Sequence, residues 1–250
     1  MKTLIGKWLL LLIILSLSTT GCFWIKDRKA NTIEGQFNQA FFYYEDGKYK
    51  KAREAFEELR DNYPLSKYAI VAELRIADSY YQNKEYGEAI LHYEDFRKLH
   101  PTSPVTPYVI YQTGMSYFKQ ILSIDRDQTV TENAIKQFEY LVSRYPSTDY
   151  ASSARKNIKI CKEKLAQHEF YVGHLYFKRE KYEAALSRFN GILENFPKSG
   201  IIDEVYFYIG ESYLSLKEKE KAKTAFNHLV ENFPKSEYYN KAQKLLTELM

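Results

Sequence analysis

Five times along this chain the same landmarks return at the same spacing, and that recurrence limits the fold more than any other feature. An aromatic residue or histidine precedes proline at Tyr63-Pro64, His100-Pro101, Tyr145-Pro146, Phe196-Pro197 and Phe233-Pro234. Twelve residues before each proline stands an alanine: Ala52, Ala89, Ala134, Ala185 and Ala222. Four after each alanine comes an aromatic (Phe56, Tyr93, Phe138, Phe189, Phe226), and three further on an apolar residue (Leu59, Phe96, Leu141, Ile192, Leu229). Upstream, a small residue recurs at Ala40, Ala77, Gly114, Gly173 and Gly210, with a tyrosine three beyond each. Two after every proline is Ser66, Ser103, Thr148, Ser199 or Ser236.

Each residue type has a physical task. The small residue lets the two helices of a hairpin approach closely, and the aromatics at i, i+3, i+4 spacing fill the space between them. Proline ends the second helix by disfavouring helical geometry in the residue before it. The following Ser or Thr is expected to cap the next helix by accepting an orphan N–H, worth about 1 kcal/mol. Scarce glycine (10) and proline (7) argue against a many-turned sandwich and for long helices. The spacing matches the tetratricopeptide signature, small-x2-Tyr…Ala-x3-Phe…Pro. The expected fold is all-α: a tetratricopeptide-repeat solenoid of five helical hairpins plus a capping helix over Glu237 to Leu249.

Successive prolines lie 37, 45, 51 and 37 residues apart, so two copies carry insertions. One falls around Ser123 to Thr129 and lengthens the turn inside the third hairpin. The other lies between Pro146 and Gly173, where no glycine or proline intervenes. Its length is close to four turns at about 3.6 residues each, so the helix can lengthen and keep its buried face. One long helix from Tyr150 to Arg179 is therefore expected. It would join an N-terminal half (34–146, hairpins one to three) to a C-terminal half (147–250, hairpins four and five with the cap).

The first residues read as an address. Lys2 and Lys7 form a positive start and Trp8 to Leu17 an apolar run, too short for a membrane span of roughly 20 residues. Ser18 to Gly21 then lead to Cys22, a small residue before a cysteine, as in the lipobox of bacterial lipoproteins. Residues 1–21 are read as a lipoprotein signal peptide, Cys22 as the lipidated N-terminus and 22–33 as a tether. Thr19 departs from the usual leucine there. The other cysteine, Cys161, then has no intramolecular partner, so no disulfide framework is expected. Net charge is +4, or +2 without Lys2 and Lys7, and the charges are interspersed, which argues against a nucleic-acid partner.

On the first helix of each hairpin, positions −3, +1 and +4 from the small residue form a second stripe, roughly 120° from the core stripe. These are Phe37, Phe41 and Tyr44, then Leu74, Asp78 and Tyr81, then Tyr111, Met115 and Phe118. All but Asp78 are apolar or aromatic. Packing between hairpins accounts for such residues, and so does a groove for an apolar or aromatic peptide. No catalytic constellation emerges. The five histidines lack ligand spacing, His168 and His174 being six apart, and Asp125 and Asp127 lack a downstream bidentate glutamate. No phosphate loop or nucleophile elbow occurs, so no enzyme activity, metal or cofactor is expected.

The middle of the chain also carries His100 to Pro104, Tyr108-Val109, Ser116-Tyr117, Asp125-Arg126-Asp127-Gln128 and Tyr145-Pro146-Ser147. Leu165-Ala166, His168-Glu169, Tyr171-Val172, Lys178-Arg179 and Ala184-Ala185 follow, up to Arg188-Phe189. In these residues and in both insertions it resembles the BamD (ComL-type) lipoproteins of the outer-membrane β-barrel assembly (BAM) complex, from about residue 34 to 235. The resemblance implies a lipid anchor on the periplasmic side of the outer membrane. It implies docking to a BamA-type β-barrel subunit, recognition of unfolded outer-membrane proteins and company with other Bam lipoproteins. Within the family's Ala-x2-Arg-[Phe/Val] docking motif, the arginine corresponds to Arg188, three after Ala185. Phe23 after the cysteine implies the absence of an inner-membrane retention signal. Another periplasmic repeat lipoprotein, coordinating cell-wall synthesis or envelope integrity, would share everything but the partner.

Overall fold

A computed structural model describes residues 32–249 as eleven α-helices, with no strand among the described residues. They divide into two compact units that part after Ser103. The first unit holds α1 (Ile33–Glu45), α2 (Tyr49–Asn62), α3 (Lys67–Gln82) and α4 (Tyr86–Leu99). The second holds α5 (Thr106–Phe118), α6 (Thr129–Arg144), α7 (Asp149–Lys178), α8 (Tyr182–Asn195), α9 (Ile202–Ser215), α10 (Lys219–Asn232) and α11 (Tyr239–Glu248). Within each unit, successive helices pack antiparallel and first helices touch first helices: α1 on α3, α5 on α7, α7 on α9. The expected partition at residue 146 does not coincide with the boundary at Ser103, because the first half of α7 packs on α5 and α6.

The repeat landmarks explain these hairpins. All five alanines of the second helices and all five aromatics four residues on are fully buried. The tyrosines of the first helices are only half-buried; Tyr80 stacks on His92 and has the Arg53 guanidinium 4.1 Å from its centroid. The glycines make a notch. A Cβ added at Gly114 would lie 2.6 Å from the Phe138 ring, and one at Gly173 2.7 Å from Phe189. Each second helix ends alike: Tyr63, His100, Tyr145, Phe196 and Phe233 leave the helical region at ψ of 57, 60, 54, 48 and 60°. Their N–H groups still donate to the apolar landmark four residues back, and proline follows.

The expected cap holds at Ser66 and Thr148, whose hydroxyls accept from the N–H of Ala69 and Ala151. It does not hold after Ser103 or Ser199. Pro104 and Gly200 lengthen those turns, so α5 and α9 start later, behind Val105 and Ile201. Ser236 accepts from Tyr238 N–H one residue before α11.

The first helices end on a left-handed residue seven places beyond the small one: Gly47, Lys84, Glu180 and Lys217, with φ of 71, 62, 60 and 62°. The next N–H closes back onto the carbonyl of the landmark tyrosine, as in Lys48 to Tyr43 and Glu218 to Tyr213, which makes a Schellman motif. Side chains cost about 1–2 kcal/mol in this region. Lys217→Gly is accordingly expected to stabilise the protein by about 0.5–1 kcal/mol after its extra unfolded-state entropy is deducted. The urea midpoint measures this, and an unchanged or lower midpoint would contradict it.

α7 runs for 30 residues, close to the span expected from the sequence. Ala154 and Cys161 are buried among residues of α5 and α6, Ala166 among those of α8 and α9, and Gly173 is buried against Phe189 of α8. Burial pushes the Cys161 thiol up to about 12. Cys161 should therefore resist iodoacetamide at pH 8 in the native protein and react fully in urea, as read by mass spectrometry of its tryptic peptide. Native alkylation would contradict the packing. The inserted turn, residues 119–128, is tied from inside: Gln128 donates to the carbonyls of Ser123 (2.9 Å) and Arg126 (3.0 Å). From α7, His168 Nδ1 lies 2.6 Å from the Ile124 carbonyl oxygen.

Candidate functional site

In the first unit, Phe37, Phe41 and Tyr44 share one face of α1, with centroids 6.2 and 6.3 Å apart in sequence. All three are half-buried. Phe37 also meets Phe56 and, at 5.1 Å, Tyr68 of α3, so part of its area serves packing between hairpins. Tyr44 and Tyr81 end the two stripes alike, each set edge-on against the first residue of the following helix, Tyr49 and Tyr86. Leu74 is half-buried beside them in sequence order on α3.

Asp78, the polar interruption of the stripe, is 1% exposed. Its Oδ2 accepts from Arg75 Nη1 at 2.7 Å and its Oδ1 from the Tyr93 hydroxyl at 2.7 Å. Charge-assisted bonds offset the desolvation of such a carboxylate. The pairing fixes Arg75 over the rings of Phe41 (5.7 Å) and Tyr44 (5.5 Å), a cation–π arrangement worth about 0.5–2 kcal/mol. Reading the sequence missed Arg75 because it falls one place off the stripe. The i, i+3 spacing of Arg75 and Asp78 is the signal that locates it. Burial first, and the charge of Asp78 second, raise the Tyr44 phenol above its ordinary value.

In the second unit, Tyr111, Met115 and Phe118 of α5 are half-buried against α6 and α7. Tyr111 meets Phe138 at 5.9 Å and Tyr150 at 5.5 Å, Phe118 meets Phe138 at 6.4 Å, and Asn157 donates to the Met115 sulfur at 3.2 Å. The same three positions continue beyond the hairpins in which they were first counted. Counting from Gly173 gives Phe170, His174 and Phe177, gathered around Tyr208 at 5.5, 4.9 and 5.3 Å. Counting from Gly210 gives Phe207, Glu211 and Leu214. There the stripe is covered, since Tyr238 stacks on Phe207 at 4.8 Å.

Arg188 lies on the outer side of α8, where its Nη1 donates to Glu169 Oε2 of α7 at 2.9 Å. The pair borders a hollow of about 430 Å³ floored by Leu165 and Phe196 and rimmed by Glu132 and Asn195. Partly exposed pairs of this kind add little stability, so their charge is available to a partner. Cys22, Phe23 and the leader lie outside the described residues. Among the described residues, no group of three His, Cys, Asp or Glu is placed to hold a metal ion. None of their helices is long and apolar enough to cross a membrane.

Comparison with known proteins bears on this arrangement. The family model YfiO, described as an outer membrane lipoprotein, matches residues 29–226. The outer membrane protein assembly factor BamD of Caulobacter vibrioides is 33% identical over 148 residues, 59% of this chain and 48% of that protein. The protein of the same description from Rickettsia prowazekii is 29% identical over 192 residues, 76% of each chain. The chain thus spans about half the length of the Caulobacter relative and three quarters of the Rickettsia one. Among solved structures, the TPR2AB domain of yeast Sti1 in its pHSP90 complex aligns with a TM-score of 0.44 at 16% identity, covering 86% of this chain and 84% of that one.

Proposed function

From the premise that this chain belongs to the YfiO family of outer membrane lipoproteins, we propose that it is a scaffold subunit of the β-barrel assembly (BAM) complex. In this reading Cys22 carries lipid and holds the protein on the periplasmic side of the outer membrane. The aromatic stripes of the first three hairpins take hold of unfolded outer-membrane proteins, and Arg188 docks a BamA-type barrel subunit. It acts by binding rather than catalysis. One observation carries the proposal: the family match runs through both insertions, which a generic repeat array would not share.

The test is affinity capture of the full chain from detergent-solubilised envelopes. A large, heat-modifiable β-barrel should co-purify with it, whereas recovery of a cell-wall enzyme without the barrel would overturn the assembly role. The stripe is tested separately by Tyr44→Ala and Phe118→Ala. Each removes a ring worth about 1–1.5 kcal/mol at a contact, so binding of an unfolded barrel-protein peptide should weaken about tenfold at unchanged helical content. Equal binding by both variants would take the stripe out of substrate contact.

A further inference from the structure

A cleft of about 790 Å³ opens on the middle of α7, within the range of ligand sites. Neither the stripe nor Arg188 accounts for it as a whole. Phe118, Ile121 and Ile160 supply apolar wall, and Lys159, Lys164 and Lys198 supply positive charge. It arises from the long insertion. α5 ends at Phe118 and α9 begins only at Ile202, so these turns of α7 lack a neighbouring first helix and Ile160 stays 54% exposed. Glu163, the acid on this face, is occupied: its Oε2 accepts from Ser199 Oγ at 2.9 Å and from Gly200 N–H at 3.0 Å. That clasp fastens the α8–α9 turn to α7 and brings Lys198 into the cleft. Lys164 is near enough to Asp125 to share its charge with the inserted turn. Lys159 and Lys198 have no ion pair within 4.0 Å among the described residues.

We propose that this cleft seats an extended acidic segment of a partner polypeptide, with carboxylates on both sides of one apolar side chain. The apolar side chain covers Ile160, Ile121 and Phe118, and the carboxylates meet Lys159 and Lys198. Charge complementarity decides for an internal segment over a chain terminus. Cations come from two elements, and along α7 alone Lys159 and Lys164 are separated by about 7.5 Å, which one terminal carboxylate does not span. The inference stands apart from the assembly role and is tested without a complex.

The full chain in mild detergent is titrated into a fluorescein-labelled, C-terminally amidated peptide Glu-Asp-Leu-Asp-Glu, and polarisation is read. Three controls accompany it: Gln-Asn-Leu-Asn-Gln amide, Glu-Asp-Gly-Asp-Glu amide, and Gln-Asn-Leu-Asn-Phe with a free carboxyl end. The acidic leucine peptide should bind at least tenfold more tightly than each control. Ile160→Asp, and Lys159→Glu combined with Lys198→Glu, should each weaken it at least tenfold at unchanged circular dichroism, since all three side chains are exposed. No binding, equal binding of any control, tighter binding of the free-carboxyl peptide, or binding untouched by the variants would overturn the proposal.

Discussion

Phe226→Ala is expected to cost about 3–5 kcal/mol, read as a fall in the urea midpoint at constant slope. The ring is fully buried and fits the notch over Gly210, so its removal leaves a cavity between α9 and α10. Gly210→Ala alone should also destabilise, by about 1–2 kcal/mol. The new methyl would fall inside the van der Waals surface of the Phe226 ring, and overpacking outweighs the roughly 1 kcal/mol that alanine gains in a helix. In the Phe226→Ala background the sign should reverse. With the ring gone, the methyl enters empty space and the helix-propensity gain remains. Additive effects of the two substitutions would mean that residue 210 is small for a reason other than this ring.

The second large effect is on association. Under the proposed assembly role, Arg188→Glu should weaken capture of the barrel subunit about thirtyfold, roughly 2 kcal/mol. The substitution removes a donor and sets a second carboxylate opposite Glu169, making the rim of the hollow wholly acidic on that side. Helical content and melting should stay as they are, because the ion pair is partly exposed and holds no core residue. Equal capture by both proteins would remove Arg188 from the docking surface while leaving the family membership untouched.

The landmarks that specify backbone path were legible in the sequence because each follows from a local rule. Ala52 and Phe56 lie four apart on one helical face, Tyr63 precedes a proline, and the insertion before Gly173 has a length that whole helical turns can absorb. Features that depend on a second chain segment were not. Ser199 looks like a cap until Glu163, 36 residues earlier, claims its hydroxyl. Asp78 is only a polar gap in the stripe until Tyr93, 15 residues later, donates its hydroxyl to it. Lys84, Glu180 and Lys217 hide their left-handed backbone because only Gly47 shows it in its residue type. Of the candidate site, the stripe positions and the i, i+3 pair of Arg75 with Asp78 could be counted, but the seat of Arg75 over the rings of α1 and that of Glu169 beside Arg188 could not, since both arise across helices.

The length of α7 carries a consequence for how the second unit comes apart. Repeat arrays generally lose structure from their ends, one element at a time, because each element leans only on its neighbours. Here α5 and α6 rest on one end of a beam about 45 Å long, and α8 and α9 on the other. Stripping either pair therefore bares half of a helix whose remaining half is still held. Backbone amides near Cys161 should exchange with deuterium only when that whole unit opens, later than those of α11 at the chain's edge.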